Sequence, residues 1–200
     1  MRSLVLNCTL KPSPAESNTQ VLADVVIDAL RRQEVDVDVV RVVDRHVPPG
    51  VATDLGDGDE WPQLHAMLAV SDILIIATPT WLGQPSSIAK RVLERMDAMI
   101  SETKADGTYA AYNKVAGVVV TGNEDGAHHV ITEIAGALID IGFTIPGQAW
   151  TYWNMGPGPG PSYTETDHRH DWSESTGRTM AANLVAAAAA LRAHPLPPAG

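Results

Sequence analysis

Residues 72–87 read DILIIATPTWLGQPSS, and this stretch decides the fold. Ile73-Leu74-Ile75-Ile76-Ala77 is an unbroken apolar run, the pattern of a strand buried on both faces. It breaks into Thr78-Pro79-Thr80-Trp81-Leu82-Gly83-Gln84-Pro85, and Ser86-Ser87 then lead into a helical pattern through Ile88, Ala89, Val92, Leu93 and Met96. A buried strand, a polar and aromatic loop, then a helix make a βα unit. In an open parallel sheet, ligands sit at the carboxyl ends of such strands.

The same alternation extends in both directions. Leu4-Val5-Leu6 starts a strand, and the loop from Asn7 to Ser17 carries Pro12 and Pro14. A helix capped by Ser17 or Asn18 follows, with Val21, Leu22, Val25, Val26, Ala29 and Leu30 at helical spacing. Val35 to Val43 is β-branched and reads as a second strand. Residues 44–60 form an acidic loop and Glu60 to Val70 a short helix. Beyond the central unit come a polar connection at 100–113, a strand at 115–120, a loop at 121–126 and a helix from His128 to Ile141. Phe143-Thr144-Ile145-Pro146 is expected to begin a fifth strand or an extended segment. Residues 151–172 read as a long aromatic, lid-like loop, since such loops in compact domains usually cover sites. An Ala-rich helix from Ser173 to Ala193 and a Pro-rich, frayed tail at 194–200 end the chain.

Five strands alternating with five helices predict an α/β fold: a three-layer, doubly wound, five-stranded parallel sheet in one domain over 1–193. The flavodoxin-like order 2-1-3-4-5 matches the count and puts the switch point between the first and third strands, so the loops at 9–18 and 78–85 face each other across one crevice.

Composition narrows the function. The 200 residues hold 14 Lys+Arg against 24 Asp+Glu, a net charge of -10, with no basic cluster for a nucleic-acid backbone. The one cysteine, Cys8, excludes internal disulfides and all-cysteine metal sites, which suits a cytoplasmic location. No apolar run approaches the ~20 residues of a membrane span, and MRSLVLNCTL turns polar too soon for a signal peptide.

Three loops carry the candidate site. In the first, Thr9, Ser13, Ser17 and Thr19 offer hydroxyls and Lys11 a charge beside a helix N-terminus, where anions bind. Plain N-capping by Ser17 or Asn18 is the competing reading. Neither a Walker pattern nor GxGxxG is present. In the second loop, Trp81, Gly83 and Gln84 suit the edge of a planar ring, although Trp81 also fits ordinary packing. In the third, Gly122 and Gly126 allow close backbone approach or simply make turns.

The first loop, Asn7-Cys8-Thr9-Leu10-Lys11 with Ser17-Asn18-Thr19, resembles the phosphate loop of flavodoxin-like FMN reductases. TPTWLGQPSSIAKRVLERMD looks like the ring-binding segment of NAD(P)H-dependent FMN reductases and quinone oxidoreductases. TGNEDGAHHVITEIAGALIDIGFTIPG is similar to their third FMN loop and following helix. Cys8 and Leu10 depart from the usual glycine and proline, and the loop is longer. The resemblance implies FMN, with Thr9, Lys11, Ser17, Asn18 and Thr19 around the phosphate. It implies Pro79, Thr80, Trp81, Leu82, Gly83 and Gln84 along the ring, and Thr121, Gly122, Asn123, Asp125 and Gly126 at its other edge. It also implies NAD(P)H as donor, a quinone, flavin or other small acceptor, and a homodimer or homotetramer. Tyr152 and Trp153 are the stacking candidates. The alternative is a flavodoxin-like FMN electron carrier docking on a protein partner. No catalytic residue is assigned: His128 either donates to a flavin or quinone oxygen or is a surface or capping residue at the start of its helix. Asp167-His168-Arg169-His170-Asp171 reads as solvated loop with no metal.

Overall fold

The computed structural model describes residues 1–198; Ala199 and Gly200, the end of the expected tail, lie outside the described residues. Its elements in chain order are β1 (Arg2–Asn7), α1 (Asn18–Arg31), β2 (Asp36–Arg41), α2 (Trp61–Val70), β3 (Ile73–Trp81), β4 (Gln84–Pro85), α3 (Ser87–Met96), β5 (Val115–Gly122), α4 (Ala127–Ile141), β6 (Trp150–Asn154) and α5 (His170–Ala193). Five strands pair in parallel in the order β2-β1-β3-β5-β6, while β4 folds back on β3. Setting the short β4 aside, this is the expected 2-1-3-4-5 order, with the chain reversing direction across the sheet beside β1 and β3.

The central strand shows why an apolar run is needed there. Leu74 and Ile76 point into a core shared with α2, α3 and α4. Ile73, Ile75 and Ala77 point into the other, shared with α1 and α5. Every side chain from Ile73 to Ala77 is buried, so neither face tolerates a polar residue. The Ala-rich composition of α5 has a packing reason. A Cβ on Gly177 would already touch Val25 and Val26 at 3.4 Å, so small residues let α5 lie close against α1.

Three expectations need correction. Of the two forms expected at 143–146, a fifth strand or an extended segment, the strand does not form there: Phe143 is buried beside the Gly142 cap of α4, Thr144 makes one isolated bridge to Val115, and β6 begins at Trp150. Residues 151–154 therefore belong to the sheet and not to a loop. The tail is pinned as far as Leu196, which exchanges hydrogen bonds with Asn113: Leu196 N–H donates to Asn113 Oδ1 at 2.6 Å, and Asn113 Nδ2 to the Leu196 carbonyl at 3.3 Å.

Lys114 precedes β5 and is buried, with Nζ donating to the Ala69 and Ser71 carbonyls at 2.7 and 2.6 Å, at the C-terminal end of α2. Burial, with a smaller push from Lys104, lowers its pKa from the ordinary 10.5 to about 8, against a weaker opposing pull from Asp72. Below pH 8 both folded and unfolded chains hold the proton, and the folded state bears the full burial penalty. Between about 8 and 10.5 the unfolded chain binds more protons, so this group's contribution to stability rises with pH. The neutral amine keeps two N–H donors for the two carbonyls. Urea denaturation should show the wild type gaining on Lys114→Met between pH 7.5 and 9.5; a gap that is flat or shrinks over that range overturns the assignment.

Candidate functional site

The carboxyl ends of β1, β3 and β5 meet at one crevice. Its walls are Thr9, Leu10, Lys11, Asn18, Thr19, Pro79, Thr80, Trp81, Thr121, Gly122, Asn123, Ser162 and Tyr163. Parallel pairing sets this geometry, since Asn7 lies opposite Ala77 and Pro79 opposite Thr121.

Hydrogen bonds hold the loops in place. Cys8 N–H donates to the Ala77 carbonyl at 2.7 Å, and Ser86 Oγ donates to the Cys8 carbonyl at 2.6 Å. Ser86 Oγ also accepts from Ala89 N–H at 3.1 Å, so one hydroxyl caps α3 and ties it to β1. Thr19 and Thr121 hydroxyls meet at 2.8 Å and join the first loop to the third. The outer part of the first loop hangs on β2 and the turn after it. Arg41 Nη1 donates to the Ala15 carbonyl at 2.7 Å, and Ser13 donates from N and Oγ to the Asp44 carboxylate at 2.9 and 2.5 Å. Those two bonds from Ser13, side chain first, hold Asp44 below the usual carboxylate range.

The site residues expected from sequence divide into two sets. Thr9, Lys11, Asn18, Thr19, Pro79, Thr80, Trp81, Thr121, Gly122 and Asn123 line the crevice together. Ser17, Leu82, Gly83, Gln84, Asp125 and Gly126 do not line it. Ser17 is buried as the N-cap of α1, its Oγ accepting from Gln20 N–H at 3.2 Å. Leu82 and Gly83 form the two-residue turn between β3 and β4, with φ of 53° and 72°; a positive pair is what a tight hairpin of this hand requires. The Leu82 side chain is 90% exposed, and its N–H donates to Glu124 Oε1 at 2.7 Å. Gly126 packs on this turn, where a Cβ would lie 2.7 Å from Gly83 Cα. Gln84 reaches the other way, with Nε2 3.0 Å from His129 Nε2, and Asp125 is exposed.

Ser162 and Tyr163 also line the crevice; they lie in the 151–172 segment expected to cover a site, although neither is among the site residues expected individually. They arrive through a strap that crosses two of the loops. Gly160 N–H donates to the Asn123 carbonyl at 2.8 Å, and Thr164 donates from N and Oγ1 to Asn18 Oδ1 at 3.0 and 2.9 Å. Asn18 thus keeps its amide N–H groups as its remaining donors. The signal in the sequence was Ser162-Tyr163-Thr164-Glu165, an S-x-x-E capping box, which the structure forms. Burial pushes the Tyr163 phenol up, so it remains a neutral hydroxyl at neutral pH.

Trp153, a stacking candidate, is withdrawn from the site. It is 2% exposed, its Nε1 donates to the His168 carbonyl at 2.6 Å, and Tyr163 packs edge-on against it. Cys8 is fully buried beside the first loop, and burial drives its thiol far above the range where a thiolate forms.

Two features show what the crevice accepts. Thr80 Oγ1 is buried with no hydrogen-bond partner, a cost that a ligand atom would relieve. Beside it, a Cβ on Gly122 would lie 2.2 Å from Thr80 Cγ2, so only glycine leaves this floor open. The first loop adds the N-terminus of α1 and the Lys11 ammonium. The crevice thus carries a positive charge at the first loop and is walled by uncharged side chains between the second and third.

The family model described as NADPH-dependent FMN reductase matches residues 1–155. The chain belongs to that family. Its members are flavin oxidoreductases, and this chain is one by that membership. It is 36% identical over 206 residues to the 8-demethyl-8-aminoriboflavin-5′-phosphate synthase of Streptomyces davaonensis, covering 98% of this chain and 80% of that protein. A solved structure of RosB with bound intermediate OHC-RP (8-demethyl-8-formylriboflavin-5′-phosphate) superposes with a TM-score of 0.90 at 36% identity, over 98% of this chain and 82% of that one. The chain is also 38% identical over 200 residues to the divalent metal cation transporter MntH of Mycobacterium bovis. It covers 96% of this chain but spans only 29% of the length of that protein. Among the described residues, no helix is long and apolar enough to cross a membrane.

Proposed function

We propose that the crevice binds FMN and that the protein takes hydride from NAD(P)H and passes electrons to a quinone, a flavin or another small acceptor. The observation that carries this reading is the convergence of the three loops on one crevice around the unpartnered Thr80 hydroxyl. Thr9, Lys11, Asn18, Thr19 and the first N–H groups of α1 would hold the phosphate, with Ser17 shaping that helix end. Pro79, Thr80 and Trp81 would border one side of the ring, and Thr121, Gly122 and Asn123 the other. Leu82, Gly83, Gln84, Asp125 and Gly126 would set the outer rim. Bound FMN supplies the hydride chemistry itself, so the protein's contribution is position and electrostatics. Lys11 and the α1 N-terminus give an anion site on a chain that is acidic overall. A homo-oligomer acting in the cytoplasm belongs to the same reading.

The decisive measurement is anaerobic titration of the FMN-loaded protein with NADPH and with NADH. One of them should bleach the flavin absorbance faster than it bleaches free FMN. If FMN binds and neither nucleotide bleaches it, the reductase reading fails and the electron-carrier reading replaces it.

A second reading is favoured by the near full-length similarity to the Streptomyces davaonensis synthase. In it, riboflavin-5′-phosphate in the same crevice is the substrate, altered on its ring. Mass spectrometry of the flavin recovered after turnover separates the two: an unchanged mass supports the reductase, a changed mass the synthase-like reaction.

A further inference from the structure

A second cavity, of about 310 Å³, opens between β6 and the N-terminal end of α5, lined by Tyr152, Trp153, Asn154, Arg169 and Trp172. None of these residues lines the crevice. The Tyr152 and Trp172 rings meet edge to face with centroids 5.0 Å apart, and His128 and Trp150 extend the aromatic wall behind Tyr152. Aromatic walls of this kind accept a flat ring. The volume matches a small-molecule pocket.

The polar side of the cavity is Arg169. It stands immediately before α5 with φ of 58°, in the left-handed region that costs a non-glycine residue. It makes no side-chain cap, and among the described residues its guanidinium forms no ion pair, although Asp167 and Asp171 flank it in sequence. The first N–H groups of the 24-residue α5 add to the positive potential there. Asn154 contributes an amide. A free guanidinium, an amide and two aromatic rings in one cavity select a flat ring that carries an anion.

The register of the sheet ties this cavity to the crevice. Trp153 lies opposite Thr121 and Asn154 opposite Gly122, and paired strands run about 4.8 Å apart. Thr121 and Gly122 line the crevice, so the two sites share a wall one strand thick.

We propose that this cavity is a second substrate site that takes a planar aromatic anion, a ring bearing a carboxylate or an equivalent charge. Calling the occupant a substrate rests on the flavin reading above; the site and its ligand class do not. The probe is 1-naphthoate, titrated by calorimetry into the FMN-loaded protein, with uncharged 1-naphthalenemethanol as the control. Saturable 1-naphthoate binding is expected, about tenfold tighter than the alcohol. Arg169→Gln should erase that preference, and Trp172→Ala should weaken both ligands. Circular dichroism checks that each variant is folded, and Arg169→Lys keeps the charge if Arg169→Gln unfolds. FMN affinity, read from flavin fluorescence, should be the same in all variants.

Absence of saturable binding, an Arg169→Gln variant that binds 1-naphthoate like the wild type, or displacement of FMN by 1-naphthoate overturns the proposal. If the protein fails to take up FMN, the same titration is run without it. Arg169-dependent binding then keeps the site while the flavin reading fails.

Discussion

Alanine at position 122 is expected to weaken FMN binding by about tenfold or more and to cost about 1–3 kcal/mol of stability, the usual range for overpacking a filled site. The reason is local. The added Cβ would stand 2.2 Å from Thr80 Cγ2 and 3.0 Å from the Glu124 carbonyl. Thr80 is itself 3% exposed and sits on β3, so it can move only by swinging into the crevice or by parting β3 from β5. Either movement displaces the hydroxyl that has no partner in the protein. Thr80→Ser removes the clashing methyl and leaves the hydroxyl. The double variant Gly122→Ala with Thr80→Ser should therefore recover most of the lost stability, a coupling that a double-mutant cycle in urea reads directly. Flavin affinity should recover less, because the alanine methyl still occupies the crevice floor. If Gly122→Ala binds FMN with the wild-type affinity, the flat end of the ligand does not lie against this floor.

How much of this was legible beforehand follows from where each signal resides. The run Ile73–Ala77 announced itself because successive side chains enter two different cores, and no alternation survives when both faces are covered. The three loops were legible because each interrupts an apolar strand and opens a helix. β6 was misplaced because Phe143 and Ile145 look like a strand start, whereas Phe143 is used to close the end of α4. Trp150-Thr151-Tyr152-Trp153-Asn154 does alternate, with Thr151 and Trp153 buried, but it runs into a Gly- and Pro-rich segment that hides its end. Trp153 as a stacking residue failed for the same reason: once it lies on a strand, its parity sends it under α5 and not toward the crevice. Ser162 and Tyr163 reach the site through bonds such as Thr164 to Asn18, which join residues 146 positions apart. No local pattern carries a contact of that range. The inner residues of the candidate site thus came from strand ends; its strap was legible as a long covering loop at 151–172, but which of its residues reach the crevice was not.

Replacing Arg95 by methionine is expected to cost about 3–5 kcal/mol, because it breaks a buried ion pair and strands the partner charge. The side chains of Arg95 and Asp59 are both shielded from solvent, with Nη2 and Oδ2 2.6 Å apart. The guanidinium also donates to the carbonyls of Ala52, Pro48 and Thr53 at 2.9, 3.1 and 3.3 Å and lies 5.6 Å from the centre of the Trp61 ring. One side chain from α3 thereby gathers the long loop that leads into α2. Lysine cannot replace it: an ammonium is a point charge and lacks the flat fork that reaches a carboxylate and three carbonyls together. Arg95→Lys should accordingly be nearer to Arg95→Met than to the wild type, and both should expose the 45–60 segment to proteases. The acid side gives an independent reading. Burial alone would raise the Asp59 pKa; the Arg95 guanidinium and the Trp61 and Leu55 N–H groups outweigh it and hold the carboxyl below its ordinary value. A lowered folded-state value means stability that is present in full above the unfolded pKa, about 3.9, and lost as pH falls through the folded one. Wild-type protein should therefore lose stability more steeply below pH 4 than Asp59→Asn, which has no carboxylate left to protonate. Equal acid slopes in the two proteins would show that the pair does not hold its charge in the folded state, and the cost assigned to Arg95→Met would then have to come from the three orphaned carbonyls alone.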